Sequence, residues 1–437
     1  MPNTKIKLMR LWLAPGMGVK RHLALLVLAT LILTTGIVFL LLWVYAYNQK
    51  MLTPSMKSFF NSGFWLYYGN LLSIIIILIG MFLSAFAIAR LNSSLLSHWK
   101  PINQNTAEVI SQKLNLSKGL KIVALGGGTG LSNLLRGIRK YSSNVTAVVA
   151  VSDDGGSSGR LRSDFDMPAP GDINDCLAAL SDYEDDVSNL LEYRFTKGKE
   201  LRGHSFGNLM ITTLTEVEGS FEQAIKVMNS ILNITGSVYP ATDEAVVLTA
   251  LKASGEIITG ESQVGKNAGA IKKVSIEPKD AKANIEVIKA IKEAELIVLG
   301  PGSLFTSTIP PLLVKDIQKA INNRNGELVY ISNIMTEVGE TDGMSAFDHI
   351  QAIYEHLGCY PDRLVLNSSP IDQARLEHYQ KEGAEVVSFA EDSFKNLNIK
   401  ISHWPILGRG QHAQHDSDKL AKWLANLSKK DLAKKGT

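Results

Sequence analysis

The chain has 437 residues, 45% of them hydrophobic, and a formal net charge of +3. A chain of this length has room for two domains or for one large α/β unit with additions. Its charge is uneven: residues 1–100 contain nine Lys or Arg and no Asp or Glu, whereas the rest contains 36 basic and 42 acidic side chains. Because a nucleic-acid binder needs a clustered basic surface, this acidic body excludes nucleic acid as a partner.

The basic segment 1–100 is predicted to be a membrane anchor. Two apolar stretches without charged residues, about 23–47 and 66–89, are each long enough to cross a bilayer as a helix. Five Lys or Arg precede the first stretch and two lie between the stretches, so the positive-inside rule predicts a two-pass protein whose N-terminus and main domain are cytoplasmic. A cleaved signal peptide is the alternative for the first stretch. Residues 101–117 are predicted to link the anchor to the body.

A glycine-rich turn opens the body and is its most informative motif. An apolar strand is predicted at 122–125, and apolar residues at helical spacing follow the turn. Strand, glycine turn and helix together point backbone N–H groups and a helix N-terminus at an anion, usually a phosphate. The turn matches neither the dinucleotide fingerprint nor the Walker A loop, and a tight turn without a ligand is the alternative. Its members are Gly126, Gly127, Gly128, Thr129 and Gly130.

A second predicted strand, 145–152, ends in a polar loop. In an open parallel sheet the ligand lies at the carboxyl ends of the strands, so Asp153 and Asp154 could hold a ribose hydroxyl or a hydrated Mg²⁺. The glycine- and serine-rich stretch that follows suits a second anion-binding nest with a charged donor, although a solvated loop is the alternative. Its candidate ligands are Ser157, Ser158 and Arg160.

Further polar positions lie near the starts of predicted helices. Asp172 either caps the first turn of its helix or faces the ligand crevice. His204 suits an acid–base group or a substrate donor, with an ordinary hydrogen-bonded residue as the alternative. Asn208 is placed to contact the edge of a base or sugar. Residues 219–290 are predicted to form a mixed αβ insertion.

The phosphate-type pattern returns after a strand predicted at 295–299. Gly300 and Gly302 free the backbone, and hydroxyl groups follow near the start of a helix predicted to run through Ile321, which suits a second anion contact. Those hydroxyls belong to Ser303, Thr306 and Ser307. The next predicted strand, 327–331, ends in polar side chains on the same side of the sheet, namely Asn333, Thr336 and Glu340.

The last part of the body is predicted to complete the sheet and to end in a helix. Segments 363–367 and 385–389 have the pattern of its final strands. His412 and His415 are assigned to a polar tail. Residues 416–437 are predicted to form a basic amphipathic helix.

In this order, the motifs resemble the YvcK/CofD family, in its branch of bacterial gluconeogenesis factors. The resemblance covers residues 118–415 and rests on six stretches: 126–130, 153–160, 171–173, 203–208, 300–307 and 333–336. One such stretch is unspecific, whereas six in a fixed order are specific. Asn174 departs from the pattern, because the family usually has Arg there, and one candidate phosphate contact is thereby removed.

The resemblance implies a Rossmann-like α/β fold, with a doubly wound, mostly parallel sheet and an αβ insertion. It implies a site for a nucleotide sugar, in this branch a UDP-linked hexose such as UDP-GlcNAc, with no cofactor required and Mg²⁺ as an option. The glycine turn would hold the diphosphate. The other expected contacts are Ser303 and Ser307 for the second anion, Asp153 or Asp154 for hydroxyl groups, and Asn208 with Asn333 for polar edges.

The resemblance further implies a regulator of cell shape and carbon metabolism at the inner membrane of a bacterium. Its partners would be the nucleotide sugar, the membrane and a protein of the envelope or of metabolism; homo-oligomerisation stays open. The alternative is an enzyme like the CofD transferase, in which Asp153 and Asp154 hold Mg²⁺, an acceptor alcohol attacks phosphorus and GMP leaves. A nicotinamide-dependent oxidoreductase is the least favoured hypothesis, because the dinucleotide fingerprint is broken.

Overall fold

The computed structural model describes residues 19–47, 63–96, 106–266 and 269–435. Contacts between residues divide the chain into two compact units, with the boundary between residues 112 and 113. The basic residues Lys5, Lys7 and Arg10, and the connection between the two apolar stretches, lie outside the described residues.

The described part of the first unit contains two long helices, α1 (Val19–Tyr47) and α2 (Gly63–Leu96). Each contains a stretch that is long and apolar enough to cross a membrane. Measured by length and composition, these stretches are Lys20–Tyr45 and Tyr68–Asn92, close to the two predicted ones.

Glycines bring the backbones of α1 and α2 close together. A Cβ atom on Gly36 would lie 2.8 Å from Cγ1 of Ile77, and one on Gly80 would lie 2.7 Å from the backbone nitrogen of Leu33. The two contacts have opposite order along the two helices, so the helices are antiparallel. Small residues at such contacts are typical of helix pairs in membranes, where close packing replaces the hydrophobic effect.

The second unit is built on a seven-stranded sheet in which all neighbouring strands are parallel. The strands are β1 (Ile122–Gly126), β2 (Val145–Val149), β3 (Ser237–Pro240), β7 (Leu296–Leu299), β8 (Glu327–Ile331), β9 (Arg363–Asn367) and β10 (Lys400–Trp404). Strands β1 and β7 are apolar and buried along their length, as expected of strands covered on both faces. The predicted α/β fold with a mostly parallel sheet is confirmed.

Helices lie before, between and after these strands. They are α3 (Thr106–Ser117), α4 (Gly128–Ile138), α5 (Gly156–Phe165), α6 (Gly171–Leu180), α7 (Glu184–Leu191), α8 (Phe206–Glu218), α9 (Phe221–Ile231), α10 (Glu261–Val264), α11 (Ile285–Glu293), α12 (Lys315–Asn322), α13 (Ala346–Leu357), α14 (Gln373–Glu382) and α15 (Ser417–Lys435). The helix α3 occupies most of the segment predicted to be a linker. Helix α15 packs on α4, where Gly137 lets Ser417 and Ala421 approach.

The order of strands in the sheet is β10-β9-β8-β7-β1-β2-β3. From β1 the chain proceeds to β2 and β3 on one side, and it later fills the other side from β7 to β10. The direction therefore reverses between β1 and β7. In an open parallel sheet, the loops at the carboxyl ends of two such strands separate and leave a crevice for a ligand.

The predicted insertion, 219–290, is smaller than expected. Residues 237–240 form β3 and pair with β2 in the main sheet, because the chain returns to that edge after α9. The separate element is a three-stranded antiparallel sheet of β4 (Val247–Lys252), β5 (Ile257–Thr259) and β6 (Ile271–Glu277). Helix α11 then leads back into β7.

Two other predicted elements differ from the structure. Residues 385–389 do not form a strand; Val386 makes only an isolated bridge with Met335, and β10 takes the place at the edge of the sheet. The helix predicted after β7 is broken into a π-helix, Leu304–Thr308, a 3-10 helix, Pro310–Leu313, and α12. Pro310 and Pro311 explain the break, because proline has no N–H to donate within a helix.

Candidate functional site

A cleft of about 330 Å³ lies at the carboxyl ends of β1 and β7, at the reversal of strand order. Its volume lies within the range typical of small-molecule sites. Four segments of the chain form three walls: the glycine turn after β1 forms the first, the loops after β7 and β8 form the second, and the segment before α15 forms the third. The lining residues are Gly127, Gly128, Thr129, Gly130, Asn133, Pro301, Gly302, Ser303, Ser307, Asn333, Ile334, Met335, Thr336, Glu337, Tyr379, Ala413, Gln414 and His415.

The glycine turn forms the first wall. Helix α4 begins at Gly128, whose φ is +58°, and its N-cap residue, Gly127, has no side chain to cap the first turn. The free N–H groups of a helix N-terminus attract an anion. A Cβ atom on Gly130 would collide with the carbonyl oxygen of Pro301, so only glycine lets the turn after β1 meet the loop after β7.

The second wall carries hydroxyl, amide and carboxylate groups. Ser303 and Ser307 line this wall. Gly302, which lies between β7 and these two serines, has a φ of +153°. The Asn333 Nδ2 donates to Oε1 of Glu337 at 3.1 Å, and the Ser303 side chain also hydrogen-bonds to Glu337. Burial raises the pKa of Glu337. This carboxyl group is thus held by two neutral partners at the edge of the cleft.

Thr336 and Thr306 support the second wall. The Thr336 Oγ1 accepts the N–H of Glu385 at 2.8 Å, which ties the loop after β8 to the neighbouring segment. The Thr306 Oγ1 donates to Oε1 of Glu340 at 3.0 Å behind the cleft. Burial, followed by the nearby Glu337 charge, raises the pKa of Glu340 to about 7.

The third wall, which residues 413–415 form, was not predicted from the sequence. The assignment of His415 to a polar tail is wrong, because His415 lines the cleft and its Nε2 lies 3.2 Å from the Ser332 carbonyl oxygen. Burial lowers the pKa of His415 to about 4, so the imidazole is neutral at pH 7. The Ala413 N–H donates to the Tyr379 hydroxyl at 3.0 Å and holds this segment against α14. Among the described residues that line the cleft, none is Lys or Arg.

An acidic cluster lies at the carboxyl end of β2. Asp153, Asp154 and Glu261 each offer an oxygen atom, and these atoms lie within 4.8 Å of one another. The Asp153 Oδ1 accepts the Gly155 N–H at 2.8 Å, and the Asp154 Oδ1 accepts the Ser262 N–H at 2.7 Å. Carboxylate oxygens in such a group suit a Mg²⁺ ion or sugar hydroxyls.

Glu261 was not predicted to belong to the site. It comes from α10, next to the small sheet and about a hundred residues along the chain from Asp154. Burial, then the charges of Asp153, Glu340 and Asp154, raise the pKa of Glu261 to about 7. Only the folded chain brings this carboxylate to the other two.

Asp172 connects the cluster with the cleft. It accepts the N–H of Gly128, and burial followed by neighbouring carboxylates raises its pKa to about 7. A Cβ atom on Gly127 would collide with its Oδ2. No side chain caps helix α6, so of the two predicted roles the structure supports the one in the crevice.

The predicted second nest is a network of side chains that bind one another. The Asn208 Nδ2 donates to Ser157 and Ser158 at 3.1 and 3.2 Å, and the Ser157 Oγ lies 3.0 Å from Nδ1 of His204. The Asn174 Nδ2 donates to Oδ1 of Asn208 at 2.7 Å. Contact of these residues with a ligand stays a prediction, because their described hydrogen bonds are internal. The exposed Arg160 guanidinium donates to the Arg202 carbonyl oxygen at 3.3 Å.

The model of the family described as 2-phospho-L-lactate transferase CofD matches residues 122–407, about two thirds of the chain and all the segments that form the cleft apart from the last residues before α15. The chain belongs to the CofD family.

Within the CofD family, the chain is similar to proteins named gluconeogenesis factors. A putative gluconeogenesis factor of Deinococcus radiodurans is 40% identical over 424 residues, which cover 96% of this chain and 89% of that protein. The gluconeogenesis factor of Bacillus subtilis is 41% identical and covers 71% of this chain and 98% of its own length. The first match is long enough to include both N-terminal helices, whereas the second relative has no room for them.

A solved structure of a similar protein has the same fold as the second unit. The crystal structure of a Bacillus halodurans protein superposes with a TM-score of 0.68 and 41% identity, over 70% of this chain and 99% of that chain. The predicted family is therefore confirmed by both sequence and fold.

Proposed function

We propose that this CofD-family protein binds a nucleotide sugar, such as UDP-GlcNAc, in the cleft between the loops after β1 and β7. The observation that supports this most is the composition of the cleft. At the N-terminus of α4, the N-cap residue Gly127 supplies no side chain and Asp172 binds only the Gly128 N–H. This N-terminus shares the cleft with the Ser303 and Ser307 hydroxyls, and no described residue of the lining is Lys or Arg. A diphosphate fits such a site when backbone N–H and hydroxyl groups are its donors.

The cleft and the acidic cluster offer two kinds of contact that a nucleotide sugar can use. Ile334, Met335 and Tyr379, which line the cleft, supply apolar and aromatic surface, which suits the flat face of a base. Asp153 and Asp154 lie outside that lining, and their carboxylates can accept hydrogen bonds from sugar hydroxyls. We propose that the hexose lies toward these carboxylates.

We propose a regulatory role in carbon metabolism and cell shape, at the cytoplasmic face of the bacterial inner membrane. The names of the relatives support the link to gluconeogenesis. The two apolar helices and the basic residues before them support a two-pass anchor with the body in the cytoplasm. Fusion of a periplasm-dependent reporter to the C-terminus is expected to stay inactive; an active fusion would contradict this topology.

A second candidate is phosphoryl-type transfer like that of the transferase for which the family is named. Asp153, Asp154 and Glu261 favour it, because their oxygen atoms are grouped as a Mg²⁺ ion would need. The ion would neutralise charge on a diphosphate. Asp172, with its pKa near 7, is suited to hold or release a proton in the crevice.

Calorimetric titration of the full chain in detergent distinguishes these functions. The ligands are UDP-GlcNAc, UDP-glucose, GDP and NAD, each with Mg²⁺ and with EDTA. Metal-independent binding of a UDP-sugar that is recovered intact is the expected result. Binding of GDP alone, and only with Mg²⁺, would instead favour the transferase, and absence of UDP-sugar binding under all conditions would refute the proposed ligand.

A further inference from the structure

Lys252, at the end of β4 in the small sheet, is almost completely buried, with 2% of its surface exposed. Buried ammonium groups are costly unless hydrogen bonds replace their hydration. The Lys252 Nζ donates to the carbonyl oxygens of Gly269 and Gly339 at 2.8 Å and to that of Val264 at 3.4 Å. Backbone carbonyl oxygens of this kind are suitable acceptors for the three donors of an ammonium group.

The carbonyl groups that Lys252 binds belong to two different segments beside the site. Val264 ends helix α10, whose first residue is Glu261 of the acidic cluster. Gly339 lies in the turn between Glu337, at the edge of the cleft, and Glu340. One ammonium group therefore joins the segment that carries Glu261 to the segment that carries Glu337.

These segments carry carboxylates that repel one another. The charge of Glu340 contributes to the raised pKa of Glu261, after burial and Asp153. The positive charge of Lys252 acts in the opposite direction on Glu340 and favours its ionised form. Burial lowers the pKa of Lys252 itself, while Asp342, Glu340 and Glu256 favour its charged form. An apolar side chain could fill the same space but could not offset this repulsion.

We propose that Lys252 is a positioning residue: it holds Glu261 beside Asp153 and Asp154, and it thereby sets the affinity of the site for its ligand. This inference rests on the proposed function, since the ligand is the nucleotide sugar of the cleft. Lys252 lies behind Val264 and acts through α10. Residues that support metal ligands change metal affinity by about 10- to 100-fold when they are removed, and we expect the lower end of that range here.

The test uses the full chain in detergent, with UDP-GlcNAc in the presence of Mg²⁺ as the probe. The variants are Lys252→Met, Glu261→Gln and the double variant, with Lys272→Met as the matched control. Lys272 is an exposed lysine of the same small sheet, so its variant removes the same charge without touching α10. Lys252→Met is expected to weaken binding about tenfold. In the Glu261→Gln background, Lys252→Met is expected to reduce the affinity for UDP-GlcNAc little further, because the two residues act through one interaction.

Hydrogen exchange provides a second readout that is independent of the ligand. Exchange at 260–266 and at 337–342 is expected to rise together in Lys252→Met and to stay unchanged in Lys272→Met. Lys252→Arg keeps the charge and the donors, and it is expected to restore part of both the protection and the affinity. If Lys252→Met does not fold, Lys252→Arg tests the positioning role by itself. The expected result is then a smaller loss of affinity together with a smaller rise in exchange at 260–266 and 337–342.

Two results would overturn the positioning role. One is unchanged affinity in Lys252→Met together with unchanged exchange at 260–266. The other is a loss of affinity that is equally large with and without Glu261→Gln, because it would show a general effect on the fold. If the wild-type chain binds no UDP-sugar, the proposed function fails, and the exchange at 260–266 then decides the role of Lys252 by itself.

Discussion

The loops after β1 and after β2 share the same strand–glycine–helix arrangement but differ in the chemical groups that they present. In both, a parallel strand is followed by a helix that begins at glycine residues, α4 in the first loop and α5 in the second. The first loop contributes backbone groups to a cleft that also has hydroxyl and amide groups, and no described residue of its lining is Lys or Arg. The second is headed by Asp153 and Asp154 and is completed by Glu261. Backbone geometry alone therefore does not say what a glycine-rich loop binds.

The difference lies in what occupies the helix N-terminus. In the first loop the N-terminus of α4 is open to the cleft, apart from the Gly128 N–H taken by Asp172. In the second, the protein supplies its own anions, and the serines of α5 bind Asn208 and His204. We infer that the first loop attracts an anion, whereas the second attracts a cation or hydroxyl groups. A nucleotide sugar offers both kinds of group within one molecule.

The largest expected effect comes from closing the first loop. Gly130→Ala places a Cβ atom against the Pro301 carbonyl oxygen, so the loops after β1 and β7 must separate. We expect no measurable binding of UDP-GlcNAc by calorimetry and a loss of about 1–3 kcal/mol in the free energy of unfolding. In the control, Gly126→Ala, the Cβ atom would lie 3.6 Å from Leu131, an ordinary contact, and stability should barely change. Full binding by Gly130→Ala would contradict the role of this contact.

The raised pKa of Asp172 leads us to expect that the stability of the fold depends on pH. Its pKa is raised to about 7 in the folded chain, so the folded state holds a proton that the unfolded state releases near pH 4. Stability is therefore expected to fall as the pH rises from about 4 to about 7.

Urea unfolding of residues 113–437 at pH 5 and pH 7.5, in EDTA, measures this dependence. Asp172→Asn should reduce the loss of stability between the two values by on the order of 1–2 kcal/mol. The amide oxygen can still accept the Gly128 N–H, so the turn itself should survive. An identical dependence on pH in the variant and the wild type would show that Asp172 is ordinarily ionised.

Removal of charge from the second loop tests whether it belongs to the same site. In the double variant Asp153→Asn, Asp154→Asn, the amide oxygens can still accept the Gly155 and Ser262 N–H groups, so the fold should persist. Affinity for UDP-GlcNAc is expected to fall about tenfold. Asp392→Asn, at an exposed position, is the control. Unchanged affinity in the double variant would exclude the acidic cluster from the site.

The smallest expected effect concerns the third wall of the cleft. Tyr379→Phe removes the hydroxyl that accepts the Ala413 N–H, and this segment then loses one hydrogen bond, a loss of about 0.5–1.5 kcal/mol. We expect a decrease in affinity of roughly threefold by calorimetry. Tyr354→Phe serves as the control, because Tyr354 is exposed on helix α13. Its ring stacks on that of Tyr360, in the loop after α13. Equal effects of the two variants would argue against a role for the Ala413 contact.

The sequence predicted those parts of the fold that depend on neighbouring residues. The strands at 122–126 and 296–299 are continuous apolar runs bounded by glycine, and their buried positions follow directly from that pattern. The edge strand β10 was missed because its side chains are half exposed and alternate weakly, whereas 385–389 has a better pattern and makes only one bridge. Local pattern does not determine which segment reaches the edge of a sheet.

The same division holds for the site. Asp153, Ser303, Ser307 and Asn333 lie in the segments that follow predicted strands, so their place near the carboxyl ends of those strands could be predicted. Glu261, in contrast, follows the small sheet and reaches Asp153 only because that sheet folds back over the end of β2.

By itself, the sequence determined the two apolar helices, the parallel sheet, the glycine turns and the family, because each of these depends on the pattern of residues within short stretches of the chain. The tertiary structure decided that Asp172 faces the crevice, that His415 lines the cleft, and that Lys252 joins the segments of Glu261 and Glu337. These relations join residues far apart in the chain. They depend on the packing of whole elements, which no single stretch of sequence contains.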